Sequence, residues 1–266
     1  MVLTLATLTL GYVLSQFYRA FLAVLSPLLS ADLGLRPEAL AQASGLWFLA
    51  FSLAQLPVGW ALDRIGPRVT VAGLMLVAAA GAALFALAQG AGQIQLAMVL
   101  IGLCCSPVLM GAYFILARGF PAHLFGSYAG LVIGLGSLGN LAAAAPLGWA
   151  AGLWGWRGAI WGLAAVTLAV ALVLAALVRD PPRLASRGEG SILTLLALPG
   201  FWPVLVMMAA CYAPAAGLRS LWAGPYMADV FAASPATIGQ VTLVMGLAMV
   251  AGNLAYGPLE RALRNR

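Results

Sequence analysis

Long apolar runs separated by short polar breaks dominate this chain. A run of about 20 mostly apolar residues is long enough to cross the hydrocarbon core of a bilayer as a helix. Eight such runs can be delimited, and charged residues, Gly and Pro gather in the breaks between them. The pattern therefore predicts eight membrane-spanning helices, at about residues 4–29, 40–62, 69–89, 93–117, 124–150, 157–178, 200–228 and 237–258.

The composition supports a lipid bilayer as the surrounding solvent. Hydrophobic residues make up 64% of the 266 residues and charged residues only 8%, against about 45–50% and 25% in soluble domains. The net charge of +6 rests on 13 basic residues, all of them Arg, and a chain this apolar is not expected to bind nucleic acid. The cysteines Cys104, Cys105 and Cys211 lie in apolar runs and are interpreted as small core residues.

No catalytic constellation is visible. The chain has a single His, His123, and it lacks the HExxH and GxSxG motifs and any pair of acids within one span. These features argue against an intramembrane hydrolase, so we predict neither an enzyme nor a cofactor or metal site. A membrane sensor stays open as a third class, although such a protein is expected to carry a soluble domain.

One long polar stretch divides the chain. The segment from Arg179 to Ser191 separates six of the apolar runs from the last two, and its Pro, Gly and Ser content is typical of a surface linker. The sequence therefore predicts a six-helix half at residues 1–178 and a cytoplasmic linker at 179–199. Residues 200–266 are then the start of a second half, with two helices.

The arginines predict the orientation, because cytoplasmic loops carry an excess of basic residues. One set of loops holds nine arginines, and the opposite set holds only Arg36 and Arg157. We expect the first set to be cytoplasmic, together with the N-terminus, in the inner (plasma) membrane. The nine are Arg64, Arg68, Arg118, Arg179, Arg183, Arg187, Arg261, Arg264 and Arg266.

The last two spans echo the first two. Spans one and seven each hold one Arg within the apolar run, followed by matching acids. Asp32 and Asp63 are 31 positions apart after the first Arg, and Asp229 and Glu260 are 31 positions apart after the second. Internal repeats of this kind are typical of secondary transporters.

The loop between spans two and three carries the most specific motif. Residues 59–68 read GWALDRIGPR, which resembles the G-x-L-a-D-R-x-G-R-R loop of the major facilitator superfamily. The segment RGFP at Arg118–Pro121, a glycine-rich fifth span and GWR at Gly155–Arg157 follow in the order typical of that family. The loop residues that match are Gly59, Asp63, Arg64, Gly66 and Arg68.

The resemblance implies an all-α, polytopic helical bundle with inverted repeats. In the family, the loop motif latches the two halves of the transporter together in the outward-facing state. We expect Asp63 to accept hydrogen bonds from Arg64, Arg68 or a helix N-terminus. Because the family has twelve spans, we expect this chain to be a fragment or to depend on a partner chain for the missing helices.

The two arginines inside spans indicate the substrate. An Arg at mid-span costs about 2.5–3.5 kcal/mol on insertion scales, and all seven acids fall in loops or at span ends. The planar fork of Arg suits carboxylate or phosphate. Arg19 and Arg219 resemble the arginines that organophosphate/phosphate antiporters of the superfamily use in the first and seventh spans, and this predicts transport of a small anion.

Other polar and aromatic side chains within the spans are candidates for the substrate cavity. The alternative is a transporter of a neutral or cationic solute, with both arginines structural. A drug exporter of this class is disfavoured because Met98 stands where the family often has an Arg, four residues before Gly102. The further candidates are Gln16 and Tyr18 in span one, Trp47, Phe51 and Gln55 on one face of span two, Tyr113 in span four, Asn140 in span five, Tyr212 in span seven and Gln240 in span eight.

Overall fold

The computed structural model of the chain is almost entirely helical in the part that it describes, where short turns join the helices and no strand is present. Contacts between its residues divide the chain into two units: Met1–Pro181 with Val250–Arg266, and Pro182–Met249. The described residues are 1–181, 196–217, 226–227, 230–232 and 235–264.

Ten α-helices and one short 3₁₀-helix, Ala122–Leu124, are defined in the described residues. In chain order they are α1 (Val2–Leu33), α2 (Pro37–Arg64), α3 (Pro67–Ala86), α4 (Ala91–Cys105), α5 (Pro107–Gly119), α6 (Phe125–Gly136), α7 (Leu138–Ala142), α8 (Ala145–Leu177), α9 (Phe201–Gly217) and α10 (Pro235–Arg264).

Gly and Pro place the boundaries of the first three helices. Gly34 follows α1 with a φ of 62°, in the left-handed region that glycine adopts without steric cost. Helices α2 and α3 begin at Pro37 and Pro67, where the missing N–H is not needed by the helix. These helices confirm the first three predicted spans. The sequence was sufficient here because Gly and Pro act on the backbone locally.

The fourth span is built from two helices. Helix α4 ends at Cys105 and α5 begins at Pro107, so the interruption is confined to Ser106. The Ser106 hydroxyl donates to the carbonyl oxygen of Leu103 at 2.8 Å. The two helices form one apolar segment, Ala91–Gly119, that is long enough to cross a bilayer, which agrees with the predicted span at 93–117.

The fifth span runs parallel to α1. A Cβ on Gly139 would overlap the backbone oxygen of Val13, so the two backbones are in contact there. Farther along both segments, a Cβ on Gly148 would lie 3.7 Å from Cγ1 of Val24. Both segments therefore advance in the same direction through α6, α7 and the first part of α8.

The chain reverses inside α8, at Gly155. This residue has φ 70° and ψ 161°, which is far from helical geometry and unfavourable for a residue with a side chain. Beyond it, Thr167 bonds to Tyr18 at 2.7 Å, and the backbone N–H of Arg179 reaches the Thr4 hydroxyl at 3.3 Å. The segment after Gly155 is thus antiparallel to α1, so the chain turns between the predicted fifth and sixth spans.

The alternating directions of the six spans create two ends. We call the end that holds residues 63–68 the motif end. Arg64, Arg68, Arg118 and Arg179 belong to it, whereas Arg36 and Arg157 lie at the opposite end. The predicted division of these arginines between two sets of loops is therefore confirmed for the first unit.

Six helical segments of the described chain are long and apolar enough to cross a membrane, and all six lie in residues 2–177. The predicted seventh span begins as α9, and part of it, at 218–225, lies outside the described residues. The predicted eighth span falls within α10. Residues 182–195 of the predicted linker also lie outside the described part.

Helix α1 is the central element of the first unit. It contacts α2, α4, α5, α6, α7 and α8. Fully buried side chains such as Leu8, Phe21 and Leu25 lie along it. A polar residue near the middle of α1 is therefore surrounded by other helices, which is the setting of Arg19.

Candidate functional site

Arg19 lies against two aromatic rings of α2. Its guanidinium carbon is 4.7 Å from the ring centroid of Phe51 and 5.6 Å from that of Trp47, within the range of a cation–π interaction. The two rings are one helical turn apart and stack on each other, with centroids 5.2 Å apart and planes 12° apart. We call Trp47 and Phe51 the aromatic pair.

Arg19 has no carboxylate partner in the described part of the chain. The ion pairs there join Asp63 to Arg118 and Asp32 to Arg157, at the two ends of the bundle. The Nε atom of Arg19 is buried and without a hydrogen-bond acceptor among these residues. The aromatic pair attracts the cation but does not neutralise it, so the site keeps a positive charge.

Two neighbours of Arg19 also carry unpaired polar atoms. Gln16, one turn earlier on α1, is 7% exposed, and its Oε1 has no donor among the described residues. Trp47 is 1% exposed, and its Nε1 has no acceptor among them either. Buried polar groups are nearly always paired. Three of the six unpaired buried atoms in the described chain lie on Arg19, Gln16 and Trp47, and the others lie on Thr70, Ser127 and Asn253. The group at Arg19 is the one that includes a cation, and a bound anion would complete it.

Tyr18, a candidate from the sequence, points away from this group, and its predicted contact with substrate stays a prediction. It is 1% exposed, its hydroxyl is bonded to Thr167 at 2.7 Å, and its ring meets Phe21 edge-on at 5.5 Å. Successive residues of a helix point about 100° apart, so Tyr18 packs towards α8 while Arg19 faces α2. The sequence analysis did not identify Thr167 as the partner of Tyr18. The only indication in the sequence is that a hydroxyl group lies within an apolar span.

Three further candidates are half-buried in the first unit. Gln55 is one turn after Phe51 on α2, Asn140 lies on α7, and Tyr113 on α5 has its ring 5.8 Å from that of Phe125. None of the three makes a hydrogen bond with Arg19 in the described structure. Their predicted roles stay predictions.

Most candidate side chains from the last two predicted spans lie outside the described residues. Gln240 lies exposed on α10, within the second unit. Arg219 lies outside the described residues, as does the side chain of Tyr212 on α9. The predicted pairing of the two arginines accordingly stays a prediction.

Gly102 positions the aromatic pair, and its role was not predicted from the sequence. A Cβ on Gly102 would lie 3.0 Å from the Cα of Trp47 and closer still to its carbonyl oxygen. The α4 backbone therefore touches α2 at the level of Trp47. In the sequence, Gly102 is visible only as a glycine within an apolar run. That pattern is compatible with close packing but does not show which helix packs against it.

The Asp63 partner differs from the predicted one. Arg118, at the end of α5, donates to the Asp63 carboxylate at 3.3 Å and lies 3.9 Å over the Phe114 ring. The expected partners Arg64 and Arg68 do not bond to it among the described residues. The physical reason is that α2 and α5 end side by side, which places the RGFP arginine next to the loop motif.

The rest of the motif loop is attached to the end of α8. The backbone N–H of Arg68 donates to Oδ1 of Asp180 at 2.8 Å, and the Arg68 Nε donates to the carbonyl oxygen of Ala175 at 2.6 Å. Gly66, with φ 105°, leaves room for that carboxylate, because a Cβ there would lie 2.7 Å from its Oδ2. Asp180 thus caps α3 where the chain leaves the six-helix half.

Two motif residues have looser surroundings. A Cβ on Gly59 would lie 3.5 Å from the Met110 side chain, an ordinary van der Waals distance, and Arg64 is exposed. Neither residue is required by contacts within the first unit. Their predicted role at the junction of two halves is not tested by these contacts.

Comparison with known proteins identifies relatives of the chain. A sequence model described as Major Facilitator Superfamily matches residues 8–266. Over 91 residues the chain is 32% identical to the nitrate/nitrite transporter NrtP of Picosynechococcus sp. (strain ATCC 27264 / PCC 7002 / PR-6). That match covers 34% of this chain and only 17% of the length of the curated relative.

Solved structures share the fold. The proton:xylose symporter XylE, bound to 6-bromo-6-deoxy-D-glucose, superposes with a TM-score of 0.67 and 15% identity over 95% of this chain and 67% of its own. A bacterial homolog of the human lysosomal transporter Spinster, inward-facing and occupied, gives a TM-score of 0.67 and 17% identity over 95% of this chain and 72% of its own. These likenesses confirm the predicted all-α polytopic fold.

Proposed function

Because the chain belongs to the major facilitator superfamily, we propose that it acts in secondary transport and moves a small anion across a membrane by alternating access. The observation that carries this proposal is Arg19, a cation near the middle of a spanning helix with no carboxylate partner among the described residues. The curated relative, a nitrate/nitrite transporter, supports an anionic substrate.

The electrostatics of Arg19 favour an anion. Arg19 is half-buried among the helices, and a charge in such surroundings is screened less than a charge in bulk water. Its planar fork can donate to two oxygens of a carboxylate, nitrate or phosphate group. The aromatic pair occupies one side of the guanidinium and so restricts the directions from which a ligand can approach.

Arg219 is the second part of the proposal. The repeat in the sequence assigns it the place in the second half that Arg19 has in the first. An anion held by both arginines would draw the halves together and so couple binding to the rocking motion. We propose exchange of anions or uniport in preference to proton symport, because the apolar spans of this sequence hold no acidic residue to carry a proton.

The membrane orientation completes the proposal. We assign the motif end to the cytoplasm of the inner (plasma) membrane, because the arginines of the first unit concentrate there. The Asp63–Arg118 pair and the Arg68–Asp180 contacts support a latch at this end, since they hold the motif loop in a fixed position.

Equilibrium binding to the full-length protein tests the anion site. Nitrate, nitrite, inorganic phosphate and a sugar phosphate are titrated into wild type, Arg19→Ala, Arg19→Lys and Arg219→Ala. Loss of a charge-assisted hydrogen bond costs about 1.5–3 kcal/mol, or roughly ten- to a hundredfold in affinity. Lys is expected to restore part of the loss, because it keeps the charge without the fork.

Arg36→Ala is the matched control. Arg36 is exposed before α2 at the opposite end, so its removal changes the net charge equally but leaves the site intact. We expect wild-type affinity in this variant. Unchanged affinity in both Arg19→Ala and Arg219→Ala, with the proteins folded, would contradict the anion proposal.

A second candidate function is transport of a neutral or cationic solute, with Arg19 structural. The contacts with the aromatic pair favour it, since they stabilise the guanidinium without any ligand. In that case, uptake assays with a panel of sugars and organic cations should identify the substrate. Arg19→Ala then lowers the melting temperature without abolishing uptake.

A further inference from the structure

We infer that Trp47 binds the transported anion through its indole N–H, as a second donor beside Arg19, and that the ligand is an oxyanion. This inference rests on the proposed function. It assigns to Trp47 a polar contact with the substrate in addition to its contact with Arg19.

The unpaired indole N–H of Trp47 contrasts with that of Trp156, the other buried Trp among the described residues. Buried Trp side chains normally find an acceptor for Nε1. Trp156, which is similarly buried, donates to Asp32 at 3.0 Å, and even the exposed Trp202 donates to the carbonyl oxygen of Leu196 at 3.0 Å. Trp47 is 1% exposed and has no such acceptor among the described residues.

The indole is held rigidly. Its ring stacks on Phe51 and meets Phe48 at 77°, with centroids 4.9 Å apart. The backbone of the same residue is pressed against Gly102 of α4. A donor that packing fixes in this way is preorganised, so its use by a ligand costs little conformational entropy.

The Arg19 guanidinium lies close to the Trp47 indole. Its guanidinium carbon is 5.6 Å from the Trp47 ring centroid, and its own Nε–H is also unpaired among the described residues. The nearby acceptor Oε1 of Gln16 bonds to neither donor. The unpaired N–H groups of Arg19 and Trp47 lie beside a positive charge. A negative ligand with more than one acceptor atom could accept a hydrogen bond from each of them.

An oxyanion meets this requirement better than a halide. Nitrate, phosphate and carboxylate groups carry several oxygens, so one oxygen can accept from Arg19 while another accepts from Trp47. A halide is a single atom and must satisfy both donors from one position. We therefore expect the indole to contribute selectivity for oxyanions over chloride.

The test compares Trp47→Phe with wild type in the full-length protein. Phenylalanine keeps an aromatic ring against Arg19 and removes the N–H together with part of the bicyclic indole. Dissociation constants and ligand-induced shifts in melting temperature are measured with nitrate, inorganic phosphate and chloride. Trp60→Phe is the matched control, because Trp60 lies on the same helix and is 61% exposed.

We expect Trp47→Phe to bind nitrate or phosphate at least tenfold more weakly than wild type, with a smaller change for chloride. Its melting temperature without ligand is expected to fall, because phenylalanine leaves part of a buried indole's volume empty, so the affinity of the folded variant is the deciding measurement. Trp60→Phe should behave as wild type. A merely structural Trp47 would leave the oxyanion affinity unchanged, and the lower ligand-free melting temperature would then be the only effect.

The outcomes separate this inference from the proposed function. Wild-type oxyanion affinity in Trp47→Phe, together with weakened binding in Arg19→Ala, would overturn the donor role and leave the anion site at Arg19. Wild-type affinity in both variants would overturn both proposals. Absence of any nitrate or phosphate shift in wild type would refute the oxyanion class.

Discussion

Replacement of Gly102 by Ala tests how closely α2 and α4 approach behind the aromatic pair. The added Cβ would lie 3.0 Å from the Cα of Trp47 and closer to its carbonyl oxygen. Both atoms belong to the backbone, so no side-chain rotation can relieve the overlap. The two helices must move apart where Trp47 contacts Arg19.

The expected cost follows from that geometry. Carbon atoms pack best at about 3.5–4.0 Å, so the helices must separate by roughly half an ångström or more. Overpacking of this kind costs typically about 1–3 kcal/mol. The higher helix propensity of Ala offsets at most about 1 kcal/mol of it. With the full offset, a net destabilisation of up to about 2 kcal/mol follows from these two terms.

The assay is the melting temperature of the purified full-length protein, with Gly73→Ala as the matched control. Gly73 lies within α3, and a Cβ there would meet nothing within 4 Å. The control should therefore melt at or above the wild-type temperature, while Gly102→Ala melts below it. Nitrate affinity should fall in Gly102→Ala, because Trp47 and Arg19 are displaced together.

Equal melting temperatures for Gly102→Ala and Gly73→Ala would refute the reasoning. That result would mean that α4 does not touch the Trp47 backbone. A lower melting temperature for both variants would point to a general intolerance of added methyl groups in these helices, and would remove Gly102 as a specific determinant.

The remaining predictions concern the motif end. Asp63→Asn should slow transport while substrate affinity stays close to wild type, because the latch that we propose for this residue acts on a conformational equilibrium and lies at the motif end, away from Arg19. A large loss of affinity with cycling intact would contradict this. Arg118→Ala should have the same effect, since it removes the partner of that carboxylate. A reporter fused after Ser186 should read cytoplasmic and one at Ala233 periplasmic, and the reverse at both positions would refute the orientation.

Most of the helical architecture of the first unit could be predicted from the sequence. The length of an apolar run decides whether a segment can cross a bilayer, and Gly and Pro act locally on φ and on the helical hydrogen bonds. Hence Gly34, Pro37, Gly66 and Pro67 marked the boundaries correctly. The reversal at Gly155 lies within the predicted break between spans five and six for the same reason.

Contacts between helices could not be predicted in the same way. Lipid tails are as apolar as a protein interior, so a spanning helix has no clear polar stripe to show which face packs inward. The choice of Arg118 for Asp63 and of Thr167 for Tyr18 depends on which helix ends and faces are adjacent. Asp180 caps α3 from 112 positions away, a separation that no local pattern encodes.

The candidate site shows the same division. The sequence by itself determined that a cation stands inside the first span and that every acid lies in a loop or at a span end, because charge is a property of single residues. Only the tertiary structure decided that Arg19 meets the aromatic pair, that Trp47 is buried with an unmet N–H, and that Gly102 holds it there. Those relations depend on the distances between α1, α2 and α4, which the packing of whole helices sets.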